Sequence, residues 1–159
     1  MIDRRTLLAG SGAAVAGALL FGRSTEAGAA RFAVTKTPAE WGRQLGPARY
    51  RILREAGTER AYTSPLDKEK RRGRFACAGC ANPLFTSATK FESGTGWPSF
   101  YRALPKAVVT KTDRTFGMER TEVLCSRCGG HLGHLFRDGP RPTGLRYCMN
   151  GLALRFQPA

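Results

Sequence analysis

Four of the five cysteines in this chain are arranged in a pattern that metal sites use. They form two Cys-x-x-Cys pairs, Cys77 with Cys80 and Cys125 with Cys128, and 44 residues separate the pairs. Each pair has a glycine within it or directly after it, which suits a tight metal-binding knuckle. Two such knuckles supply four thiolates and close a tetrahedral site that has no open position. The pattern therefore predicts one structural Zn²⁺ rather than a catalytic metal.

Two other uses of the paired cysteines stay open at this point. A redox-active pair of the thioredoxin kind needs a βαβ setting, and the sequence shows none. Two disulfides would suit an oxidising compartment. The paired knuckles favour zinc over both. Their separation exceeds that of a compact zinc ribbon, so we expect a β insertion between them.

Cys148 is left without a partner in this arrangement. A leftover cysteine is either a buried inert thiol or a reactive one. Arg146 would share its strand face and would favour the thiolate, which is the nucleophilic form. His131 and His134 follow the second knuckle and could be zinc ligands, polar loop residues or acid–base groups. With four thiolates available for zinc, the pattern favours a thiol nucleophile with a cationic neighbour and a nearby proton donor.

The elements that must position these residues begin with helices. Residues 37–40 read Thr-Pro-Ala-Glu, which combines an N-cap, a proline at the first helical position and the glutamate of a capping box. We expect a short helix that ends at Gly46 and a second one over residues 48–56, with Gly57 as its stop.

From Arg74 onward the chain changes to short apolar runs broken by glycine, proline and asparagine. Such runs predict strands. The clearest candidates are residues 107–112, 115–119, 121–124, 145–149 and 152–156. The prediction is a mainly β, antiparallel domain with short N-terminal helices, and 159 residues suit a single domain of that kind.

The first 29 residues have the sequence features of a sorting signal. A short basic start is followed by 17 uncharged residues, 6–22, and then by small residues that suit a signal peptidase. Arg4-Arg5-Thr-Leu-Leu resembles the twin-arginine export motif. We predict a signal peptide over residues 1–29, a catalytic domain over residues 30–159 and a periplasmic location. If the signal stays uncleaved, it would instead anchor the protein to the membrane.

The formal net charge is +14, and removing residues 1–29 takes away three arginines and two acidic residues, which leaves +13. Such basicity favours polyanions or a weak contact with an anionic surface. An exported zinc-knuckle module that binds polyanions is therefore an alternative function. Nucleic acid is not an expected partner, because the basic residues are scattered along the chain. A hydrophobic fraction of 42% and a charged fraction of 24% exclude a collagenous or wholly disordered chain.

Three segments together resemble the B-type methionine sulfoxide reductases, the peptide-methionine (R)-S-oxide reductases. They are Gly-Thr-Gly-Trp-Pro-Ser-Phe at 94–100, Cys-x-x-Cys-Gly-Gly-His-Leu-Gly-His-Leu-Phe at 125–136 and Arg-Tyr-Cys-Met-Asn at 146–150. The resemblance spans about residues 37–156. It implies a compact fold of two antiparallel sheets and a zinc held by Cys77, Cys80, Cys125 and Cys128.

The resemblance also implies a reaction, in which the R epimer of methionine sulfoxide in proteins and peptides is reduced to methionine. Cys148 would attack the sulfoxide sulfur and become a sulfenic acid. His131 and His134 would bind and protonate the sulfoxide oxygen. Arg146 would favour the thiolate, with Asp138 as its partner.

Three further residues take roles from the same resemblance. Asn150 would orient the site, Trp97 would pack against the methyl group of the substrate, and Phe136 would form part of the substrate pocket. The chain departs from the family pattern at Thr95, where many members carry the cysteine that resolves the sulfenic acid. We therefore expect an external thiol reductant, either a thioredoxin-like protein or a small thiol.

Overall fold

The computed structural model of the chain describes residues 32–159. The predicted signal peptide, the twin-arginine-like motif and the boundary of the mature domain lie outside the described residues. Within the described part, no helix is both long enough and apolar enough to cross a membrane.

The described chain begins with one helical element, α1 (Pro38–Glu55), which is broken at Gly46. Its start has the predicted capping box: Thr37 accepts a hydrogen bond from the backbone of Glu40, and the Glu40 carboxylate accepts one from the backbone of Thr37. Gly46 has non-helical torsion angles and is followed by Pro47, so the element consists of the two expected helical segments. It buries Trp41, Leu45, Ile52 and Leu53.

Nine antiparallel strands follow in the described residues, and they form two sheets. The smaller sheet has the order β2-β1-β9 and the larger has the order β3-β4-β8-β7-β6-β5. The strands are β1 (Gly73–Cys77), β2 (Pro83–Thr86), β3 (Lys90–Phe91), β4 (Ser99–Phe100), β5 (Val108–Asp113), β6 (Arg120–Cys125), β7 (His131–Phe136), β8 (Arg146–Met149) and β9 (Leu154–Pro158). The predicted mainly β fold class with two antiparallel sheets is confirmed.

Aromatic side chains join the two sheets in the core. Phe85 from β2 stacks on Phe100 from β4 with 4.3 Å between ring centroids, and Phe75 from β1 meets Phe100 edge-on at 4.9 Å. All three rings are fully buried. Such aromatic pairs each contribute about 0.5–1.5 kcal/mol beyond the burial of their area. The sheet that carries the candidate site is therefore fixed to its neighbour by ring contacts.

One predicted strand, 115–119, is wrong. Residues Thr115–Gly117 form a single 3₁₀ turn that connects β5 to β6. Asp113 causes the turn, because its carboxylate accepts hydrogen bonds from the backbone N–H of Thr115 at 2.9 Å and from its hydroxyl at 2.7 Å. The segment therefore closes a hairpin instead of extending it.

The strand order places Cys148 near the middle of the larger sheet. It lies on β8, opposite Ser99 of β4 on one side and His134 of β7 on the other. Side chains that face each other across neighbouring antiparallel strands lie on the same face of the sheet. The sheet register therefore brings together residues from three separate sequence segments.

Candidate active site and metal centre

The four paired cysteines converge on one point, with all Sγ atoms within 4.8 Å of one another. Cys77 and Cys128 have their sulfurs 3.7 Å apart, and Cys80 and Cys125 have theirs 3.5 Å apart. Four thiolates at about 2.3 Å from a tetrahedral zinc stand roughly 3.8 Å from one another, which is close to this geometry. A disulfide needs about 2.05 Å, and all five cysteines are free. The donor set and its spacing are those of a structural zinc site.

The two knuckles have the same backbone geometry. In each, the residue after the second cysteine adopts a left-handed conformation, Ala81 at φ 58° and Gly129 at φ 67°. The N–H of that residue donates to the carbonyl of the first cysteine, Cys77 or Cys125, at 2.9 Å in both turns. Each turn directs two sulfurs to one side, and the repeated turn gives the four-sulfur cluster.

Helix α1 packs over the cluster and holds its loops. Gln44 donates to the carbonyl of Gly79 at 2.6 Å, and Arg54 donates to the carbonyl of Cys128 at 3.0 Å. The Arg54 guanidinium also lies over the ring of Trp41, 4.9 Å from its centroid. These contacts attach the helix at the start of the described chain to both loops that carry the cysteines.

Cys148 borders a cavity of about 140 Å³ that is separate from the cluster. A space of this size accommodates one side chain rather than a whole organic ligand. It brings together five of the eight predicted active-site residues, namely Trp97, His134, Phe136, Cys148 and Asn150, with Thr58, Arg120 and Gly133 completing the lining.

The two histidines are each bound to a carboxylate that the sequence analysis had not singled out. His131 Nδ1 lies 2.6 Å from Glu122, and His134 Nε2 lies 2.9 Å from Asp113. The rings meet edge-on at 5.4 Å between centroids, and neither belongs to the zinc cluster. His134 lines the Cys148 cavity, whereas His131 lines a second cavity of about 490 Å³ that shares His134.

Burial and hydrogen bonds act on the pKa values of Glu122 and His134 in opposite directions. Burial raises the pKa of Glu122, but the hydrogen bonds from His131 and Lys111 outweigh it and leave the pKa below its usual value. Burial lowers the pKa of His134, and the bond to Asp113 offsets this only in part. His131 Nε2 is buried and has no hydrogen-bond partner among the described residues. Each histidine thus has one nitrogen committed to a carboxylate and one that can receive a proton.

Arg146 and Asp138 form the predicted pair at the edge of the site. The Asp138 carboxylate accepts two hydrogen bonds from the guanidinium, at 2.9 and 2.8 Å. The Arg146 side chain is 11% exposed and Asp138 is 61% exposed. The guanidinium also lies 4.3 Å from the ring centroid of Phe136. Asp138 therefore acts on the cavity only through Arg146.

The Cys148 thiol lies among opposing influences. Burial raises its pKa above the ordinary value for cysteine. The hydroxyl of Thr95, the charge of Arg146 and the hydroxyl of Ser99 each lower it, but they do not fully offset burial. Thr95, Arg146 and Ser99 therefore favour the nucleophilic thiolate, whereas burial favours the neutral thiol.

Asn150 is buried, and both the oxygen and the nitrogen of its side-chain amide form hydrogen bonds. Its carbonyl oxygen accepts from the N–H of Glu59 at 2.9 Å, and its amide donates to the carbonyl of Leu132 at 3.2 Å. The side chain therefore ties the end of β8 to β7 and to the segment after the helix. This anchoring agrees with the predicted orienting role, although the predicted role itself rests on the resemblance.

Glu59 makes four hydrogen bonds around the site, and the sequence analysis did not single it out. Its buried carboxylate accepts hydrogen bonds from the N–H groups of Gly151 and Leu152, directly after β8. Its carbonyl accepts from the indole N–H of Trp97 at 3.2 Å. Burial raises the pKa of Glu59. One residue thus connects the indole that lines the cavity to the loop that follows Cys148.

Comparison with known proteins agrees with this site. Residues 45–158 match the SelR domain family, and the chain belongs to that family. Similar proteins named peptide methionine sulfoxide reductase MsrB come from Leptospira interrogans, at 56% identity over 79% of this chain and 97% of that protein, and from Thiobacillus denitrificans, at 59% over 77% and 94%. A third, from the archaeon Methanosarcina barkeri, is 51% identical over 80% of this chain and 91% of its own length. The relatives place the chain among the MsrB proteins, and the predicted resemblance is confirmed.

Proposed function

We propose that the chain reduces the R epimer of methionine sulfoxide in proteins and peptides to methionine, with Cys148 as the nucleophile. One observation supports this above all: in a member of this family, a half-buried thiol borders a side-chain-sized cavity with an indole on its lining. Trp97 and Phe136 supply apolar surface for the methyl group, and His134 supplies the polar side for the sulfoxide oxygen.

The reaction is a transfer of oxygen from one sulfur to another. The Cys148 thiolate attacks the substrate sulfur, the sulfur–oxygen bond breaks and the oxygen, with one proton, is left on Cys148 as a sulfenic acid. Cys148 supplies the two electrons that convert the sulfoxide to a thioether. Because negative charge develops on the oxygen during this step, a positioned proton donor lowers the barrier.

His134 and His131 are the proposed donors. Each has one ring nitrogen bonded to a carboxylate, which fixes the orientation of the ring. For His134, burial lowers the pKa and the bond to Asp113 opposes this lowering. Arg146 favours the thiolate, and Asp138 holds Arg146 in place. Because acid and nucleophile must coexist, the rate should depend on a protonated histidine and a deprotonated Cys148.

An external thiol is the proposed reductant. The four other cysteines form the metal cluster, and Thr95 occupies the position of the resolving cysteine in many members. A reductant thiol would displace water from the sulfenic acid to form a mixed disulfide. A second thiol would then release Cys148 as a thiol. Zinc, when bound, supplies a cross-link between the two knuckles and takes no part in these steps.

The remaining predictions concern location and charge. We infer export to the periplasm from the signal-peptide features of residues 1–29. We also propose that the basic domain makes weak contacts with anionic surfaces there. N-terminal sequencing of the protein from a periplasmic fraction tests the export route. The polyanion-binding alternative is not favoured, because it assigns no role to the Cys148 cavity.

The test of function uses a peptide that contains both methionine sulfoxide epimers, with excess dithiothreitol. The wild-type protein should consume only the R epimer, and Cys148→Ser should consume neither while it retains its zinc. Cys80→Ser is the matched cysteine variant: it removes a thiol from the cluster and not from the cavity, so it should lose the zinc that Cys148→Ser retains. No consumption by a folded, zinc-loaded wild-type protein would refute the proposed function.

A further inference from the structure

Three hydroxyl groups form a continuous chain that starts at the Cys148 sulfur. Thr95 Oγ1 lies 3.9 Å from Cys148 Sγ and 2.8 Å from Ser93 Oγ. Ser93 Oγ lies 2.7 Å from Ser99 Oγ, and the Ser99 hydroxyl lies 3.0 Å from the carbonyl oxygen of Trp97. The chain thus connects the thiol to the backbone of the indole that lines its cavity.

The number of hydrogens in this chain limits how it can be arranged. Each hydroxyl carries one hydrogen and can donate in only one direction at a time. When Cys148 is a thiol, it can donate to Thr95, and each hydroxyl then donates onward until Ser99 donates to the Trp97 carbonyl. All three hydroxyls and the thiol are satisfied in this arrangement.

When Cys148 is a thiolate, the sulfur can only accept. Thr95 must then turn its hydrogen towards the sulfur, Ser93 donates to Thr95 and Ser99 donates to Ser93. The Trp97 carbonyl loses the hydrogen bond from Ser99 in this arrangement. Hydrogen bonds that follow one direction polarise one another, so a thiolate at the end of the chain is stabilised by more than one hydroxyl.

We propose that Thr95, Ser93 and Ser99 form a reversible hydroxyl chain that stabilises the Cys148 thiolate, and that its reversal releases the carbonyl of Trp97. The inference rests on the proposed function, in which Cys148 is the nucleophile and Trp97 contacts the substrate. Thr95, which contacts the sulfur, is then a catalytic residue, and Ser93 is a positioning residue. Ser99 closes the chain at the Trp97 carbonyl, and its hydroxyl also lowers the pKa of Cys148, which it faces across the β4–β8 pair.

Other charged groups also act on this thiol and must be separated from the chain. Arg146 lies two residues away on β8, with Asp138 bonded to it. His134 faces Cys148 from β7, and Arg120 of β6 lines the same cavity. These groups are unchanged by substitutions at Thr95, so such substitutions report on the hydroxyl chain.

The first test compares Thr95→Val, which removes the hydroxyl at nearly constant shape, with Thr95→Ser, which keeps it. The readout is the rate of Cys148 alkylation by iodoacetamide between pH 6 and 10, measured by peptide mass spectrometry without substrate. Thr95→Val should raise the apparent pKa of Cys148 by roughly 0.5–1 unit and slow alkylation at neutral pH by about 3- to 10-fold. Thr95→Ser should stay near wild type.

Ser93→Ala tests whether the second hydroxyl of the chain contributes. It also replaces the first test if Thr95→Val does not fold. Thr95 keeps its hydroxyl in this variant, so a shift of about half the Thr95→Val value is expected. An unchanged pKa in Ser93→Ala would overturn the chain, and an unchanged pKa in Thr95→Val would overturn the role of Thr95. Because alkylation needs no sulfoxide, these outcomes are independent of whether the proposed reductase activity is found.

The carbonyl of Trp97 provides a separate readout. The chain has two tryptophans, so labelling with ¹³C-carbonyl tryptophan gives two signals, and Trp41 serves as an internal control. In a pH titration of the wild-type protein, the chemical shift of the Trp97 carbonyl should change with a midpoint at the pKa of Cys148. Cys148→Ser should not show this change. A Trp97 carbonyl that is insensitive to the ionisation of Cys148 would overturn the reversal.

Discussion

The metal cluster and the Cys148 cavity use the same side chain in opposite surroundings. In the cluster, each sulfur has another sulfur within 3.7 Å, and helix α1 packs over the loops that carry them. Cys148 instead has a hydroxyl at 3.9 Å, a guanidinium nearby and a cavity beside it. Cysteine chemistry here depends on the number of other sulfurs within reach and on the space left for a substrate.

The two sites also differ in how they are built. The cluster is made from two local turns that repeat the same backbone geometry. The cavity is made from the register of β4, β8 and β7, together with the segment that contains Glu59 and Thr58. A change in the cluster should therefore affect the whole fold, whereas a change around Cys148 should affect the reaction first.

The largest expected effect comes from removing a thiol of the cluster. Cys125→Ser should lose the metal and leave the domain unfolded, because a structural zinc contributes about 10 kcal/mol in small domains and typical stabilities are about 5–15 kcal/mol. Zinc content by elemental analysis and circular dichroism check this.

Cys148→Ser makes the same cysteine-to-serine change in the Cys148 cavity and is the control for Cys125→Ser. It should retain zinc and melt near the wild-type Tm while activity falls to background. A folded Cys125→Ser protein with full activity would contradict the division of roles between the two sites.

A pair of glycine variants gives the next largest effect. A Cβ at Gly133 would lie 2.1 Å from the carbonyl oxygen of Cys148, so β7 and β8 would have to separate. Gly133→Ala should cost about 1–3 kcal/mol of stability, and a displacement of the catalytic strand can reduce kcat/KM by about 100-fold. Urea unfolding and steady-state assays measure both quantities.

Gly79→Ala is its counterpart in the cluster. There a Cβ would meet Trp41 at 3.5 Å and Cys77 Sγ at 3.6 Å, which are ordinary contacts. We expect near wild-type activity and zinc content. If the two alanine variants behaved alike, the close approach at Gly133 would not be what sets the geometry of the site.

The contrast between local and non-local construction also explains what the sequence could predict. The second helical segment ends one residue earlier than predicted, at Glu55, and Ala56 instead of Gly57 takes the left-handed position. The two cysteine pairs, the capping box at Thr37 and the helix break at Gly46 each depend on residues within a few positions of one another. Local spacing is visible in a sequence, and these predictions are confirmed. Cys148 and its proposed histidines were assigned through motifs that resemble a known family, and their catalytic roles stay predictions.

The carboxylates of the site could not be predicted in this way. Glu59 bonds to residues 38 to 93 positions away, and Asp113 reaches His134 across 21 positions through strand pairing. No local pattern marks such partners, because the register of the sheet decides which side chains meet. The strand predicted at 115–119 was wrong for a similar reason. The Asp113 side chain favours a turn there, and the pattern of apolar residues does not show that contact.

A smaller effect is expected when the link through Glu59 is weakened. Glu59→Gln replaces the charge that accepts two backbone N–H groups after β8, and hydrogen bonds to charged groups are worth about 1.5–3 kcal/mol. We expect about a tenfold loss of kcat/KM with zinc content unchanged. Gln44→Ala removes a comparable hydrogen bond at the cluster, to Gly79, and should lower Tm slightly without affecting kcat/KM. Equal losses of kcat/KM in the two variants would mean that Glu59 acts only on global stability.

The smallest expected effect concerns the charge beside Cys148. Arg146 lowers the pKa of the thiol, so Arg146→Met should raise it, and the pKa of Cys148 measured by iodoacetamide alkylation should increase by roughly 0.5 unit. Below that pKa the rate follows the thiolate fraction, so kcat/KM at neutral pH should fall about threefold, whereas the variants should converge at high pH.

Arg146→Lys keeps the positive charge but cannot reproduce the two parallel hydrogen bonds to Asp138. The pKa of Cys148 in this variant should therefore stay close to that of the wild type if charge is what matters. A shift as large as that of Arg146→Met would show that the fixed position of the guanidinium, and not its charge alone, favours the thiolate. In that case Asp138→Asn, which leaves Arg146 charged but less restrained, should reproduce the same shift, and the exposed carboxylate at the edge of the site would contribute through geometry.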